Sequence, residues 1–244
     1  MINKSKSGIL KYLCIFIAGV LVIPQLVSCG KEGTNLGTAN AYLNIVNLSP
    51  NINPVNLYTQ YIRQTARYTY PNASGYFLQN IIDTPLQLRP ALTNNSSQLN
   101  LLQLDHKLLK NVRYTWFITG LRSDSSFTSI FTTDSGSVPA IGRAKIRLVN
   151  ASPGSAGLNL AANDSVAFTK VAYKDVTDYI EITAGAYNFV LTPTATPKTI
   201  LKTLANFTVL DGKLYTIYTY GLPNRTDTAA FNAGVVLNTI PDKN

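Results

Sequence analysis

From residue 41 onward the chain alternates apolar and polar residues in short runs cut by Pro, Gly and Asn. Tyr42, Asn44 and Val46 would point to one side of an extended segment, and Leu43, Ile45 and Asn47 to the other. Period-two alternation of this kind predicts a β-strand. Ser49-Pro50 stops it, because proline lacks the amide donor and holds the residue before it extended. Further strands are predicted at Val55–Tyr58, Tyr76–Ile82, Leu86–Leu88, Leu99–Leu104, along Tyr114–Ile118 and at Phe127–Thr133. Short strands at this spacing, separated by turn residues, predict antiparallel β-sandwiches.

The pattern then starts again. Ala41-Tyr-Leu-Asn-Ile-Val-Asn-Leu-Ser-Pro50 returns as Ala144-Lys-Ile-Arg-Leu-Val-Asn-Ala-Ser-Pro153, and Asn56-Leu57 as Asn159-Leu160. The displacement is of domain length, so it marks two copies of one fold; a solenoid repeats about every 20–50 residues. In the second copy Lys145, Arg147 and Val149 oppose Ile146, Leu148 and Asn150, the pattern of a half-buried edge strand. Its later strands are predicted at Ser165–Phe168, Val176–Ile182, Tyr187–Leu191, Ile200–Val209 and Ala230–Leu237. The boundary falls in Asp134-Ser-Gly-Ser-Val-Pro-Ala-Ile-Gly142, a composition typical of linkers. The first sandwich is therefore expected over residues 40–134 and the second over 143–244.

Composition agrees with strands. Charged residues make up 14% of the 244, and Glu32 and Glu181 are the only glutamates, a poor supply for long surface helices. The formal charge of +9 falls to +6 for a chain beginning at Cys29. The bases after that point are scattered singly, so the footprint of a nucleic-acid binder is missing. Cys14 and Cys29 both precede the repeats, which excludes a disulfide framework or a cysteine nucleophile within them.

Residues 1–28 read as an address. Lys4, Lys6 and Lys11 precede the apolar stretch Leu13–Pro24, the layout of a secretory signal. The 17 residues from Tyr12 to Ser28, which include Pro24 and Gln25, fall short of the roughly 20 apolar residues a spanning helix needs. Leu26-Val-Ser-Cys29 resembles the lipobox of bacterial lipoproteins, which implies cleavage before Cys29 and diacylation there. Two or more acyl chains give stable anchoring where one is marginal. Cys29-Gly-Lys-Glu32 is similar to the surface-export signal of Bacteroidota-type lipoproteins, although Gly33 stands where a second acid is usual. The implied location is the outer membrane, facing the cell exterior, with residues 29–39 as a lipidated tether.

A second shared feature bears on the fold. Leu109–Leu121 matches Leu210–Leu222, with Asn111 and Gly212 suited to a left-handed turn and Tyr114 and Tyr215 three residues later. This resembles the tyrosine corner of immunoglobulin-like sandwiches, whose hydroxyl bonds upstream backbone. Trp116 on the same strand is expected in the core. The Val-Asn-x-Ser-Pro openings, the paired tyrosine strands and the lipobox together resemble bacterial lipoproteins with tandem copies of domain-of-unknown-function family 4397. Members commonly open Val-His-Ala-Ser-Pro; Asn47 and Asn150 take the histidine position, and Leu48 the alanine of the first copy. The resemblance implies two tandem immunoglobulin-like sandwiches and a location, but no reaction, because the family has no established activity.

Candidate chemistry is sparse. His106 is the sole histidine, in the polar turn Asp105-His-Lys107, so no histidine-rich metal site can form. Asp175, Asp178 and Glu181 are the only acidic cluster; on a strand Asp175 and Asp178 would face opposite ways, and Asp175 and Glu181 would lie about 20 Å apart. That spacing does not suit a carboxylate pair for glycoside hydrolysis. Neither a catalytic residue, a metal nor a cofactor is expected. Binding has more to stand on: Tyr61, Tyr68, Tyr70 and Tyr76 lie near Arg63 and Arg67 in a polar segment read as a loop, and exposed rings supply contact area at low entropic cost. These six are the candidate ligand-binding residues, for a glycan or protein. Asp164-Ser-Val166 and Asp227-Thr-Ala229 resemble Bacteroidota-type O-glycosylation acceptors, which makes Ser165 and Thr228 candidate glycan sites. The expected function is a non-enzymatic, lipid-anchored ligand-binding or adhesion module; the alternative is a structural spacer or assembly subunit of an envelope complex.

Overall fold

A computed structural model of the chain describes residues 39–91 and 99–238. The lipobox, with Cys29, lies outside the described residues. The described part falls within one compact unit and is all-β, without a helix.

The first repeat contains β1 (Asn40–Asn47), β2 (Val55–Thr59), β3 (Ile62–Tyr68), β4 (Phe77–Asn80), β5 (Leu86–Pro90), β6 (Leu102–Leu104), β7 (Arg113–Thr119) and β8 (Thr128–Thr133). The second contains β9 (Arg143–Asn150), β10 (Leu158–Ala162), β11 (Ser165–Val171), β12 (Ile180–Thr183), β13 (Gly185–Pro193), β14 (Lys202–Val209), β15 (Leu214–Tyr220) and β16 (Asn232–Asn238). Each repeat is a sandwich of two four-stranded sheets. The first has an inner sheet β4-β1-β7-β8 and an outer sheet β3-β2-β5-β6; the second has β12-β9-β15-β16 and β11-β10-β13-β14 in the same order. Pairing is antiparallel except for β1 with β7 and β9 with β15, which are parallel.

Alternation explains the cores. Leu43, Ile45, Tyr114, Trp116 and Ile118 of the first inner sheet meet Val55, Leu57, Leu86 and Leu88 of its outer sheet, all buried. Ile146, Leu148, Tyr215 and Ile217 meet Leu158, Leu160, Phe189 and Leu191 in the second repeat. At about 1.5–3 kcal/mol for each fully buried large apolar side chain, these layers dominate the stability. The tyrosine corners are present in both copies. Asn111 and Gly212 have φ of 62° and 69°. The Leu109 and Leu210 amides donate to the Tyr114 and Tyr215 hydroxyls at 3.1 and 3.0 Å.

The doubled Val-Asn-x-Ser-Pro motif is a buried polar clasp. Asn47 donates to the Tyr68 carbonyl at 3.1 Å, and its Oδ1 accepts the Ser49 amide at 3.2 Å. Asn150 repeats this with Val171 and Ser152, at 2.9 and 3.1 Å. The serine hydroxyls donate to the Gly120 and Gly221 carbonyls at 2.7 and 2.6 Å. Both glycines have positive φ, and a Cβ on Gly120 would stand 2.0 Å from the Ser126 carbonyl oxygen, so no larger residue fits. The clasp ties the end of the first strand to the third strand and to the turn after the seventh.

Three expectations change. The opening strands are central, not edge, strands: β1 lies between β4 and β7, and β9 between β12 and β15. Their second face is covered as well, by the inner sheet of the other repeat, so Arg147 is 4% exposed. Residues 61–76, expected as a loop, contain β3, whose polar pattern reflects an outer sheet with one solvated face. Val176–Ile182 forms a strand only from Ile180; Val176 makes an isolated bridge to Val149.

Candidate ligand-binding face

The outer sheet of the first repeat turns one face to the core; on its other face Arg63 and Arg67 are exposed, while the central Asn56 and Gln87 are buried. Val55, Leu57, Leu86 and Leu88 point inward, so Asn56, Tyr58, Gln87 and Arg89 point outward. Register completes two rows across the strands. Arg67, Asn56 and Arg89 form one; Arg63, Tyr58, Gln87 and Gln103 form the other. Neighbouring strands are about 4.8 Å apart, which puts the backbones of Arg67 and Arg89 roughly 10 Å from each other.

Hydrogen bonds hold the middle of this face in place. The Arg89 guanidinium lies 4.5 Å over the Tyr58 ring and donates to Gln87 Oε1 at 2.6 Å. Gln87 Nε2 donates to Gln103 Oε1 at 2.7 Å, and Asn56 Nδ2 to the Ala66 carbonyl at 2.6 Å. Arg63 and Arg67 stand exposed on β3 at the margin of this fixed centre. The four strands contain no Asp or Glu. At the β2–β3 turn Tyr61 is 64% exposed.

The corresponding face of the second repeat has the same strand order and different side chains, with Lys170 at the place of Arg67. Register sets Ala161 where Tyr58 stands, Val166 for Arg63, Val190 for Gln87 and Thr192 for Arg89. A shallow groove of about 460 Å³ runs over it, lined by Val166, Thr169, Val190, Thr192 and Ile200 among others.

The six residues singled out in the sequence separate into three places. Tyr61, Arg63 and Arg67 belong to the exposed hairpin and face just described. Tyr68 is 6% exposed in the core against Phe77, and burial pushes its phenol up to about 12. Tyr70 and Tyr76 sit at the seam between the repeats. Tyr70 donates to the Thr228 carbonyl at 2.9 Å and meets Tyr220 edge-on; burial, then Tyr220 and Asp227, raise its phenol to about 12. The six do not form one surface. Ser165 and Thr228 are both exposed.

Tyr76 leads into a polar network that sequence reasoning missed. Asp134, the first residue of the expected linker, is 3% exposed. It forms a buried ion pair with Arg147 of the second repeat, accepts from Tyr76 and Thr115 at 2.6 and 2.5 Å through Oδ2, and from Thr132 at 2.7 Å through Oδ1. Arg147 also donates to Thr216 Oγ1 at 2.8 Å and the Thr133 carbonyl at 3.0 Å, and lies 4.6 Å over the Tyr179 ring. Asn238 Nδ2 donates to the Tyr76 hydroxyl at 2.7 Å, and Thr216 and Tyr179 donate to Asn238 Oδ1 at 2.6 and 3.2 Å. Burial, then the Asp134 charge, hold the Tyr76 phenol well above its ordinary value. Val46, Leu48, Phe117, Val149, Tyr218 and Val236 form an apolar layer beside this network. Only the unusual Arg in the Lys145-Ile-Arg147 alternation hinted at the seam.

The other candidates have structural surroundings. Trp116 is fully buried. His106 packs against Tyr114 and Phe131, with ring centroids 5.9 and 5.1 Å away. Glu181 pairs with Arg143 and Lys145, and Asp175 accepts the Ala172 amide. Among the described residues no group of three His, Cys, Asp or Glu is placed to hold a metal.

Fold and face together define a tandem β-sandwich protein with the same sheet order in both copies and unlike outer faces. A model of the domain of unknown function DUF4397 matches residues 41–161 and again 144–234, and the chain belongs to that family. No curated protein matches it.

Proposed function

We propose that this chain is a non-enzymatic, lipid-anchored cell-envelope protein that holds a ligand on the outer sheet of its first repeat. One observation carries the reading: at corresponding cross-strand positions the first repeat has Tyr58, Arg63, Gln87 and Arg89 where the second has Ala161, Val166, Val190 and Thr192. Folding needs the same apolar inner positions in both copies and does not need these. The non-enzymatic part is supported by the surroundings of His106, whose ring is engaged by Tyr114 and Phe131. Anchoring rests on the lipobox at Cys29, and outward display on Cys29-Gly-Lys-Glu32.

A glycan and protein-ligand screen on the full chain tests the binding function. Hits should weaken in Arg63→Gln/Arg67→Gln; hits indifferent to that variant would move the site elsewhere. For the address, Cys29→Ala should abolish fatty-acid labelling, and protease applied to intact cells should remove the wild-type protein. Protection from protease would indicate the periplasmic face.

A second reading, a rigid spacer in an envelope complex, is favoured by the seam. The buried Arg147–Asp134 pair and the apolar layer join the sandwiches into one unit. It predicts co-purification with envelope proteins and no hits in the screen.

A further inference from the structure

We infer that the open flank of the first repeat receives an extended, uncharged peptide segment of another protein, which adds to the free edge of β4 and seats an apolar side chain between the two sheets. This place is separate from the outer face proposed above. A cleft of about 330 Å³ opens there between β3 and β4. Leu57, Tyr68 and Phe77 give it an apolar floor, Gln64, Thr65 and Gln79 a polar rim, and none of its described lining residues is charged. Gln79 is 5% exposed, and among the described residues its amide has one partner, the Asn80 carbonyl at 3.2 Å. A buried amide with unused bonding capacity beside an apolar floor suits a ligand that brings polar backbone and an apolar side chain together. The second repeat closes the same flank. The cross-strand pairs of Ala41 and Ala144 make Ile182 the counterpart of Gln79, and Phe168 stands where Thr65 does at the repeat displacement. Phe168 belongs to the core there, and Ile182 packs against that core. Folding does not require this flank to be open.

β4 supplies the edge, as the outermost strand of the inner sheet. The Ile81 amide donates to the Ala39 carbonyl at 2.9 Å, and bonded pairs alternate along an antiparallel ladder. The Asn40–Asn80 register then bonds Gln79 to Ala41 and turns the amide and carbonyl of Leu78 away from β1. The Tyr42 amide agrees, since it donates the other way, to the Val112 carbonyl at 2.9 Å. Unpaired edge groups are a template for a further strand, and natural edges are guarded by charge or by bulges. β3, on the other lip of the cleft, has both: a register shift, exposed Arg63 and Arg67, and an Ala66 carbonyl already taken by Asn56. β12 of the second repeat, as short as β4, has Glu181 at the Leu78 position, paired with Arg143 and Lys145. β4 has Leu78 there, 61% exposed, and no charge along its length. A strand paired with Leu78 alternates its side chains, so the residues flanking the paired one turn to the side of Phe77, over the cleft. Strand addition with a pocket for alternate side chains is a recurrent mode of peptide recognition. A second copy of this chain suits the edge less well. Two β4 edges paired about Leu78 would set Phe77 opposite Gln79, leave the cleft unfilled and bring the arginines of the two β3 strands toward each other.

Labelled short peptides of Thr, Asn and Ser with one central Leu or Phe, offered to the purified full chain, test this, with central Asp as the comparison. The Leu or Phe peptide should bind about tenfold or more tighter than the Asp peptide, because a large apolar side chain leaves water. It should also slow hydrogen exchange at the Leu78 amide. Thr65→Phe/Gln79→Ile writes the second repeat's residues into the flank and should weaken binding about tenfold or more, with a melting temperature no lower than the wild type's. Leu78→Glu restores a guard at an exposed position and should weaken binding by a similar factor; it serves if the first variant folds poorly. Arg63→Gln/Arg67→Gln should change the affinity by less than about twofold, as exposed charges on the other lip contribute little. No peptide bound, equal binding of the Leu and Asp peptides, binding indifferent to both flank variants, or an unchanged Leu78 exchange rate would overturn the inference. Protection of the Leu78 amide that grows with protein concentration and needs no peptide would overturn it in favour of a second copy. Peptide binding lost in Arg63→Gln/Arg67→Gln and kept in both flank variants would overturn it while leaving the outer-face reading in place.

Discussion

The seam and the outer face are two places where the repeats differ, and they differ in different ways. At the seam, Asn44 of the first repeat corresponds to Arg147 of the second, and Asn238 of the second to Asp134 of the first. The two new charges meet each other, so each change answers the other within the chain. On the outer face the first repeat has Arg63, exposed on β3, where the second has Val166. Compensated divergence serves the fold. An exposed charge such as Arg63, which no core contact needs, points to something outside the chain.

The largest effect is expected from breaking the compensation. Removing one partner of a buried ion pair leaves an unanswered charge, at a cost of about 3–5 kcal/mol. Arg147→Ala should therefore lower the melting temperature sharply, measured by calorimetry on the full chain. Asp134→Asn combined with Arg147→Asn gives the seam the Asn side chains already present at the equivalent positions, and should recover most of the loss. A double variant as unstable as the sum of the two singles would mean that the charges do not answer each other.

Alkali should have the next largest effect. Tyr68 and Tyr218 are raised by burial to about 12, and Tyr76 is raised further by burial and the Asp134 charge. An unfolded phenol titrates near 10. Below that pH both states keep the proton, and the stabilisation is complete. Above it the unfolded chain releases protons that the folded chain holds, so stability falls until the folded values are passed, by at most about 1.4 kcal/mol per pH unit for each phenol. Denaturant titrations should be level from pH 7 to 9 and decline above 10. Tyr76→Phe should make that decline shallower and, by leaving Asn238 Nδ2 without its acceptor, cost about 1–3 kcal/mol at neutral pH. Tyr61→Ala, on the exposed turn, should change stability by less than about 0.5 kcal/mol.

The contrast between Tyr76 and Tyr61 shows what the sequence made legible. The repeat, the inward positions and the tyrosine corner could be read because each follows from local periodicity and turn chemistry. Arg63 and Arg67 could be picked out because charge at the outer positions of a strand needs no tertiary partner. Tyr68, Tyr70 and Tyr76 looked equivalent to Tyr61, since the same residue type serves a core, a seam or a surface. Which role each plays depends on the packing of one repeat against the other, and no local pattern encodes that. Asp134 was read as linker for the same reason: three of its four partners lie 13 to 58 positions away, and the fourth is its neighbour Thr132. Arg89 and Tyr58 were overlooked because their stacking depends on cross-strand register, which alternation alone leaves open.

The finest test moves the outer face rather than deleting it. Val166→Arg with Thr192→Arg, and Ala161→Tyr between them, would write the first repeat's pattern onto the second. All three positions face away from the core, and Val166 is already 67% exposed, so stability should change by less than about 0.5 kcal/mol. If the side chains alone make the site, this variant should gain a second, weaker place for whatever the first repeat binds. The gain should survive Arg63→Gln/Arg67→Gln, which removes the original. It should be weaker because Val190 cannot hold the new arginine as Gln87 holds Arg89. Adding Val190→Gln should close part of that gap. A silent transplant on an intact fold would show that three side chains on this frame do not suffice, and that the hairpin bearing Tyr61 belongs to the site.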